Sequence, residues 1–300
     1  MRPSAIIPLV CCTAALILSF LCLFAGQKKD FMEDYHLLTL NTSRIGTNLL
    51  NTSDSGDSSN PFSTLFHNIS NSIENEINEF AGDVAEALGI DDFYSAHILD
   101  YCYGDYTPTN LPNATISSSD IHKNVSGCSN MTAMYSFNPT EVLERALNES
   151  GVDVTLADLD WPADIQKGID ALRIISKTVF VLYCIGIALI FISLVAAVPA
   201  LFSAGRMAAC LNVMVSTLAL LAIGIASALV TAVIVKAADT VNKYGNEIGV
   251  EAQKGGKFLA LTWAATALMF VTLCVWTFET CCGHRRRERR GEGAYVAKHG

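Results

Sequence analysis

The sequence predicts a mainly α membrane protein: a four-transmembrane-helix bundle with a large disulfide-containing extracellular domain between spans 1 and 2. Three observations carry this prediction. Between Lys177 and Arg206 lie 28 uncharged residues, Met207 to Val235 adds 29 more, and Phe258 to Phe278 adds 21. A fourth apolar run, Ser4 to Gly26, stands at the N-terminus. The interval from Gln27 to Ser176 holds 23 Asp and Glu against 7 Lys and Arg, so it is more acidic than the whole chain at −9. A helix crosses a bilayer in roughly 20 apolar residues, and its backbone groups are satisfied within the segment, so each run predicts a span. With 51% apolar residues the chain could be soluble by composition alone; it is their segregation that argues for a membrane.

Taken in order, residues 1–4 form a cytosolic N-terminus and 5–26 the first span. Met1-Arg2 followed by an apolar stretch also fits a signal peptide. The run exceeds the usual signal core, however, and Phe24-Ala25-Gly26 is a poor cleavage site, so an uncleaved anchor is expected. In either case residues 27–176 are exported, as an extracellular glycosylated domain. Asn51 to Asn60 has the composition of a solvated loop. From Ile69, the residues Ile73, Ile77, Phe80, Val84 and Leu88 recur at helical spacing and Gly89 follows as a C-cap, which predicts an amphipathic helix. Its polar face is acidic, which suits a domain surface better than an anionic bilayer.

Cys102 and Cys128 are the only cysteines in the exported segment. A bridge between them is expected there, worth roughly 3 kcal/mol; two free thiols, or one paired with a partner chain, are the alternatives. Two cysteines are too few for a structural zinc site, and no metal is expected. Asn41, Asn51, Asn68, Asn113, Asn124, Asn130 and Asn148 head Asn-X-Ser/Thr sequons, all in this segment. Asn138-Pro139-Thr140-Glu141 opens a short helix closed by Gly151, with a cap, a proline in the first turn and an acid three residues after the cap. Trp161-Pro162 opens another, with Ile165, Ile169, Leu172 and Ile175 on one face and no breaker before the second span, so one helix is predicted from about Pro162 to Phe202.

The remaining elements are span 2 at 177–203, a cytosolic turn at 204–206, span 3 at 207–235, a short extracellular loop at 236–257, span 4 at 258–279 and a cytosolic basic tail at 280–300. Orientation follows from Arg285, Arg286, Arg287, Arg289 and Arg290 directly after the last span, because positive residues near a span end stay in the cytosol. Lys236, Lys243, Lys254 and Lys257 in the outer loop oppose this, partly offset by Asp239, Glu247 and Glu251. The same arginines are expected to contact anionic inner-leaflet lipids. Cys281 and Cys282 beside them suit palmitoylation, with unmodified thiols as the alternative and Cys11 and Cys12 as weaker candidates.

No charged residue interrupts the apolar runs, which weighs against an ion-coupled transporter. Asn212 and scattered Ser and Thr are expected to bond between helices, and Pro199 to kink span 2 near its end. Small residues recur every four positions at Ala196, Ala200 and Ala204, at Gly224, Ala228 and Ala232, and at Ala260 and Ala264. They permit close helix approach within one chain, the default, or between chains. There is no phosphate loop, nucleophile elbow, His-Glu-X-X-His or EF-hand; Asp158, Asp160 and Asp164 lack the glycine and terminal glutamate of a calcium loop. Neither catalysis nor a cofactor is expected, and the acidic balance excludes nucleic acid as a partner.

The order of one span, a glycosylated segment with a cysteine pair and three clustered spans is similar to the claudin-like tetraspan superfamily. Leu38-Thr39-Leu40-Asn41-Thr42-Ser43-Arg44-Ile45-Gly46 and Tyr94-Ser95-Ala96-His97-Ile98-Leu99-Asp100-Tyr101-Cys102-Tyr103-Gly104, with Cys128 and the Phe137-Asn138-Pro139 turn, resemble the fungal Sur-seven/PalI family. The resemblance implies a non-enzymatic plasma-membrane protein of cortical patches (eisosomes), concerned with membrane organisation, endocytosis, cell-wall integrity or stress response. It implies lateral homo- or hetero-oligomers as partners, with cell-wall polymer as a further one. The Gly-Leu-Trp and Cys arrangement of claudins is absent, and the tail after Phe278 is only 22 residues where the pH-sensing PalI branch has a long extension. A sensor or channel regulator, for ambient pH or calcium entry, is the alternative.

Overall fold

The computed structural model describes residues 5–45, 89–107, 122–150, 156, 163–200, 202, 206–245 and 249–299. The helix expected over Ile69 to Leu88, the loop Asn51 to Asn60, the Trp161-Pro162 helix start and the acids Asp158 and Asp160 lie outside the described residues, as do the side chains of 163–172 and 282–299. In chain order the elements are α1 (Ile6–Phe24), β1 (Leu38–Asn41), β2 (Phe93–Ala96), β3 (Tyr101–Thr107), β4 (His122–Cys128), α2 (Pro139–Ser150), α3 (Ala163–Ala200), α4 (Arg206–Gly245), β5 (Glu251–Lys254) and α5 (Gly256–His299). They fall into two compact units, one comprising Met1–Leu23, Val179–Leu229 and Leu259–Gly300, the other Phe24–Thr178 and Val230–Phe258.

Among the described residues, four helical stretches are long and apolar enough to cross a membrane: Ile6–Phe24, Arg173–Ala200, Ala208–Gly245 and Gly256–Cys281. In the helix unit small side chains face inward, among them Ala15, Ala197, Ala219, Ala226 and Ala265, while Ile17, Phe20, Phe191, Leu218 and Phe270 are exposed. Lipid is as apolar as leucine, so such helices associate by close packing and polar contacts rather than by hiding large side chains. Large side chains are buried as well, among them Tyr183, Ile190, Ile223 and Trp276, the last packed with Ala5, Ala197 and Ala200. The polar interior is built from hydroxyls. Tyr183 Oη bonds Thr262 Oγ1 at 2.5 Å, Ser227 Oγ meets Thr262 Oγ1 at 2.7 Å and Thr266 Oγ1 at 2.9 Å, and Ser193 Oγ meets Ser216 Oγ at 2.9 Å. Asn212 donates to the Ala196 carbonyl at 3.2 Å, the interhelical role expected of it. Pro199 stands one residue from the end of α3, where the chain turns.

The other unit contains secondary structure that hydropathy did not predict. Its five strands form an antiparallel sheet in the order β4-β3-β2-β1-β5. Side chains alternate across a strand, so Leu38, Leu40, Tyr94, Ala96 and Tyr101 face one way. They pack with Val142, Leu143 and Leu147 of α2, Ala238 and Val241 of α4, and Ile45, Ile90, Leu156 and Val250 to form the unit's core. Helix α2 has the bounds its cap and proline predict, opening with the Val142 N–H donating to the Asn138 carbonyl. The stretch read as a loop from Lys236 is different. Helix α4 continues ten residues past Val235 to Gly245, and β5 follows and pairs with β1. Its periodic apolar residues, Ala237, Ala238 and Val241, face the sheet core, which keeps a polar-looking stretch helical. The tail, read without secondary structure, is helical to His299.

Candidate functional site

The second face of the sheet carries Thr39, Phe93, Ser95, Cys102, Tyr106 and Lys123, and it is polar. Lys123 enters from β4 and spends all three of its donors: on Glu33 Oε1 at 3.3 Å, on Thr39 Oγ1 at 3.2 Å and on Ser95 Oγ at 3.2 Å. Its ammonium also lies 4.7 Å from the centre of the Phe93 ring. Thr39 and Ser95, opposite each other in β1 and β2, are joined at 3.1 Å. Glu33 is 8% exposed. Burial lowers the Lys123 pKa despite the adjacent Glu33 carboxylate, so charge there depends on that pairing.

Residues 26–36 are wound into successive turns over this face. The Gly26 N–H donates to the Phe31 carbonyl at 3.0 Å, Phe31 N–H to Lys28 at 2.8 Å and Tyr35 N–H to Met32 at 3.0 Å. Met32 is left-handed (φ 53°), a conformation disfavoured for a side chain of its kind. Gly26, also left-handed (φ 83°), lies so close to the His97 ring that a Cβ would overlap it. His97 is 3% exposed, neither ring nitrogen completes a hydrogen bond, and its ring meets His36 edge-on with centroids 6.5 Å apart. Burial, then the nearby His36 and Lys123, holds the His97 pKa down at about 3; burial, then Lys123, holds His36 at about 4. At the rim Asp34 accepts from Lys257 at 2.5 Å, which keeps its carboxyl below the usual range. Together, turns and strand border an open cleft of about 590 Å³ lined by Lys29, Asp30, Met32, Glu33, Asp34, Tyr35, His122, Lys123 and Val125.

Cys102 and Cys128 stand directly opposite each other in β3 and β4 and are bonded. Between them and the free end of the strands, a bulge at Tyr103/Gly104 leaves no room for a side chain at Gly104, whose Cβ would meet the Asn124 carbonyl. Of the sequon asparagines, Asn124, Asn130 and Asn148 are exposed. Asn41 is not: it is 3% exposed in β1, and its Oδ1 accepts from the Ser43 backbone at 3.1 Å and hydroxyl at 2.7 Å. That burial leaves no room for a glycan at Asn41 in the folded unit. Asn51, Asn68 and Asn113 lie outside the described residues. Cys281 is exposed, whereas the side chains of Cys282, Arg285, Arg286, Arg287, Arg289 and Arg290 are outside the described part. Cys11 and Cys12 are buried. Among the described residues no cluster of His, Cys, Asp and Glu could hold a metal.

The cluster around Lys123 is absent from the sequence reading. Its one signal was the only lysine or arginine between Arg44 and Arg145; the partners Glu33, Thr39 and Ser95 are 28 to 90 residues away and meet it only in the folded unit.

The SUR7/PalI family model matches residues 4–275, nearly the whole chain. The chain belongs to this family. A relative, the SUR7 family protein pun1 of the fission yeast Schizosaccharomyces pombe, is 24% identical over 189 residues, covering 59% of each chain. The chain thus spans about 59% of the length of the curated relative it matches. No solved structure matches it at a significant level. The family and the four membrane-length helices make it a multi-pass membrane protein.

Proposed function

We propose that this SUR7/PalI family member is a non-enzymatic plasma-membrane tetraspan protein that packs laterally with copies of itself or with other membrane proteins to organise cortical domains of the eisosome type. Both termini are cytosolic in this reading and the sheet unit is outside, glycosylated and disulfide-bonded. Cys281 and Cys282 are palmitoylated and the tail arginines contact anionic lipid. Endocytosis, cell-wall integrity and stress response are the processes such domains serve.

The observation that supports this best is where the small residues point. Packing within one chain is the default for a small-residue ridge, and Ala200 fits it at 3% exposure. Ala228, Ala232, Ala260 and Ala264 instead are exposed on α4 and α5. Small side chains on a lipid-facing surface let a second helix approach closely, and van der Waals packing is what drives association in a bilayer. Imaging a tagged copy expressed from its own promoter tests the proposal. Immobile patches are expected, dispersed by Ala228→Leu with Ala264→Leu at unchanged abundance. Diffuse, mobile signal from the unaltered protein would refute it and favour the sensor or channel-regulator alternative.

A further inference from the structure

We propose that the cleft between residues 29–35 and β4 is a binding site for a neutral, hydroxyl-rich ligand, an uncharged oligosaccharide chain. The proposal deepens the outward placement of the sheet unit, because such a ligand is met outside the cell. Four features of the cleft carry it.

First, its volume of about 590 Å³ lies within the range of ligand sites. Second, its charges cancel. Three carboxylates, Asp30, Glu33 and Asp34, are matched by the ammonium groups of Lys29, Lys123 and Lys257, the last bonded to Asp34 from beside the cleft. A site for a polyanion or polycation would carry an excess of the opposite sign, so the remaining ligands are neutral ones. Third, the floor is held in place. Lys123 spends its three donors on protein oxygens and holds Glu33, so the floor is rigid before a ligand arrives, and the polar groups left to meet one are those of Lys29, Asp30 and His122 at the rim. Preorganised groups lose little entropy on binding. A sugar diol offers paired donors and acceptors, which suits carboxylates next to ammonium groups. Fourth, Met32, Tyr35 and Val125 supply an apolar part against which the C–H face of a pyranose ring can lie. A metal ion does not fit, because no cluster of ligating side chains occurs among the described residues.

The test uses the full-length protein in nanodiscs and saturation-transfer difference NMR with four uncharged hexaoses built from β-1,3-glucose, α-1,4-glucose, N-acetylglucosamine and mannose. Trigalacturonic acid and phosphocholine serve as charged and zwitterionic probes. At least one hexaose is expected to show transfer and neither probe to do so. Asp30→Asn combined with Tyr35→Ala, a pair at the rim that leaves the Lys123 bonds intact, should weaken binding at least tenfold. Transfer to none of the hexaoses, equal binding by the rim variant, or preference for phosphocholine would each overturn the assignment. These outcomes say nothing about patch formation, which is read in cells and fails or succeeds separately.

Discussion

Acidification should loosen the turns over the polar sheet face through His97. The ring is buried against Gly26 and beside His36, with Lys123 close enough to oppose its charge and only the Tyr35 backbone, short of a completed hydrogen bond, favouring it. A histidine with a folded pKa of about 3 against an ordinary 6.5 binds its proton more weakly when folded. Stability is therefore untouched above pH 6.5 and falls as pH drops from 6.5 toward 3, by about 1.4 kcal/mol per unit. From pH 6.5 to 5 that is about 2 kcal/mol for His97 alone, roughly 30-fold in an opening constant. Asp91 and Asp100 act in the opposite direction. Burial raises both to about 6 from 3.8, so their contribution is full below 3.8 and is lost as pH rises through 6. Two gains thus offset the losses at His97 and His36 between about pH 6 and 4, and the unaltered protein should show a shallow profile that hides the histidine slope. His97→Phe keeps a ring against Gly26 and removes the titration. Hydrogen exchange by mass spectrometry, on the full chain in nanodiscs at pH 7.5 and 5, reads the difference in peptides spanning residues 24–40 and 93–104. After correction for intrinsic rates, the variant should lose about 30-fold less protection than the unaltered protein on going to pH 5. Matching losses, within threefold, would refute the account of His97 as a buried neutral base.

Four further outcomes follow from the same unit. Replacing both Cys102 and Cys128 with alanine removes a cross-link over a separation of 26 residues and should cost about 3.5 kcal/mol by loop entropy, measured by urea midpoint in micelles. Lys123→Met leaves Glu33 buried without its cation and should cost about 3 kcal/mol, whereas adding Glu33→Leu should recover most of it, because removing both charges spares their desolvation. Asn242 pairs its amide with both backbone groups of Ala252, at 3.0 Å and 2.6 Å; Asn242→Ala should cost about 2 kcal/mol and raise exchange in β5. Glycosidase mobility shifts should be reduced by Asn124→Gln, Asn130→Gln or Asn148→Gln and left alone by Asn41→Gln, since only Asn41 is buried in its strand.

The four spans were legible because a run of some 20 uncharged residues has few other physical readings. Helix α2 was legible from its local capping chemistry. The sheet was not, for reasons visible in its strands. Strand β1, Leu-Thr-Leu-Asn, does alternate, but over four residues only, too short a run to separate from chance, and β2, Phe-Tyr-Ser-Ala, is buried on both faces and does not alternate. Strand β4 does alternate between exposed and half-buried positions, but its residues are His, Lys, Asn, Val, Ser, Gly and Cys, and hydropathy does not register the pattern. The two stretches that carried the family resemblance turn out to hold β1 and the β2–β3 hairpin, three adjacent strands. The resemblance therefore located the sheet without disclosing that it is one.

Direction was the other thing a linear reading lacked. A ridge of small residues is the same string whether it faces inward or outward, and only the bundle distinguishes buried Ala200 from exposed Ala228 and Ala264. The sheet's edge at β5 shows the same dependence on tertiary placement. A four-residue edge strand with free N–H and C=O groups is a template for pairing with another chain. Here a single amide from α4 occupies the outward N–H and C=O of Ala252, so the strand cannot be extended in register on that side. The lateral packing proposed above therefore draws on the helices, where the exposed alanines lie, and not on this sheet edge.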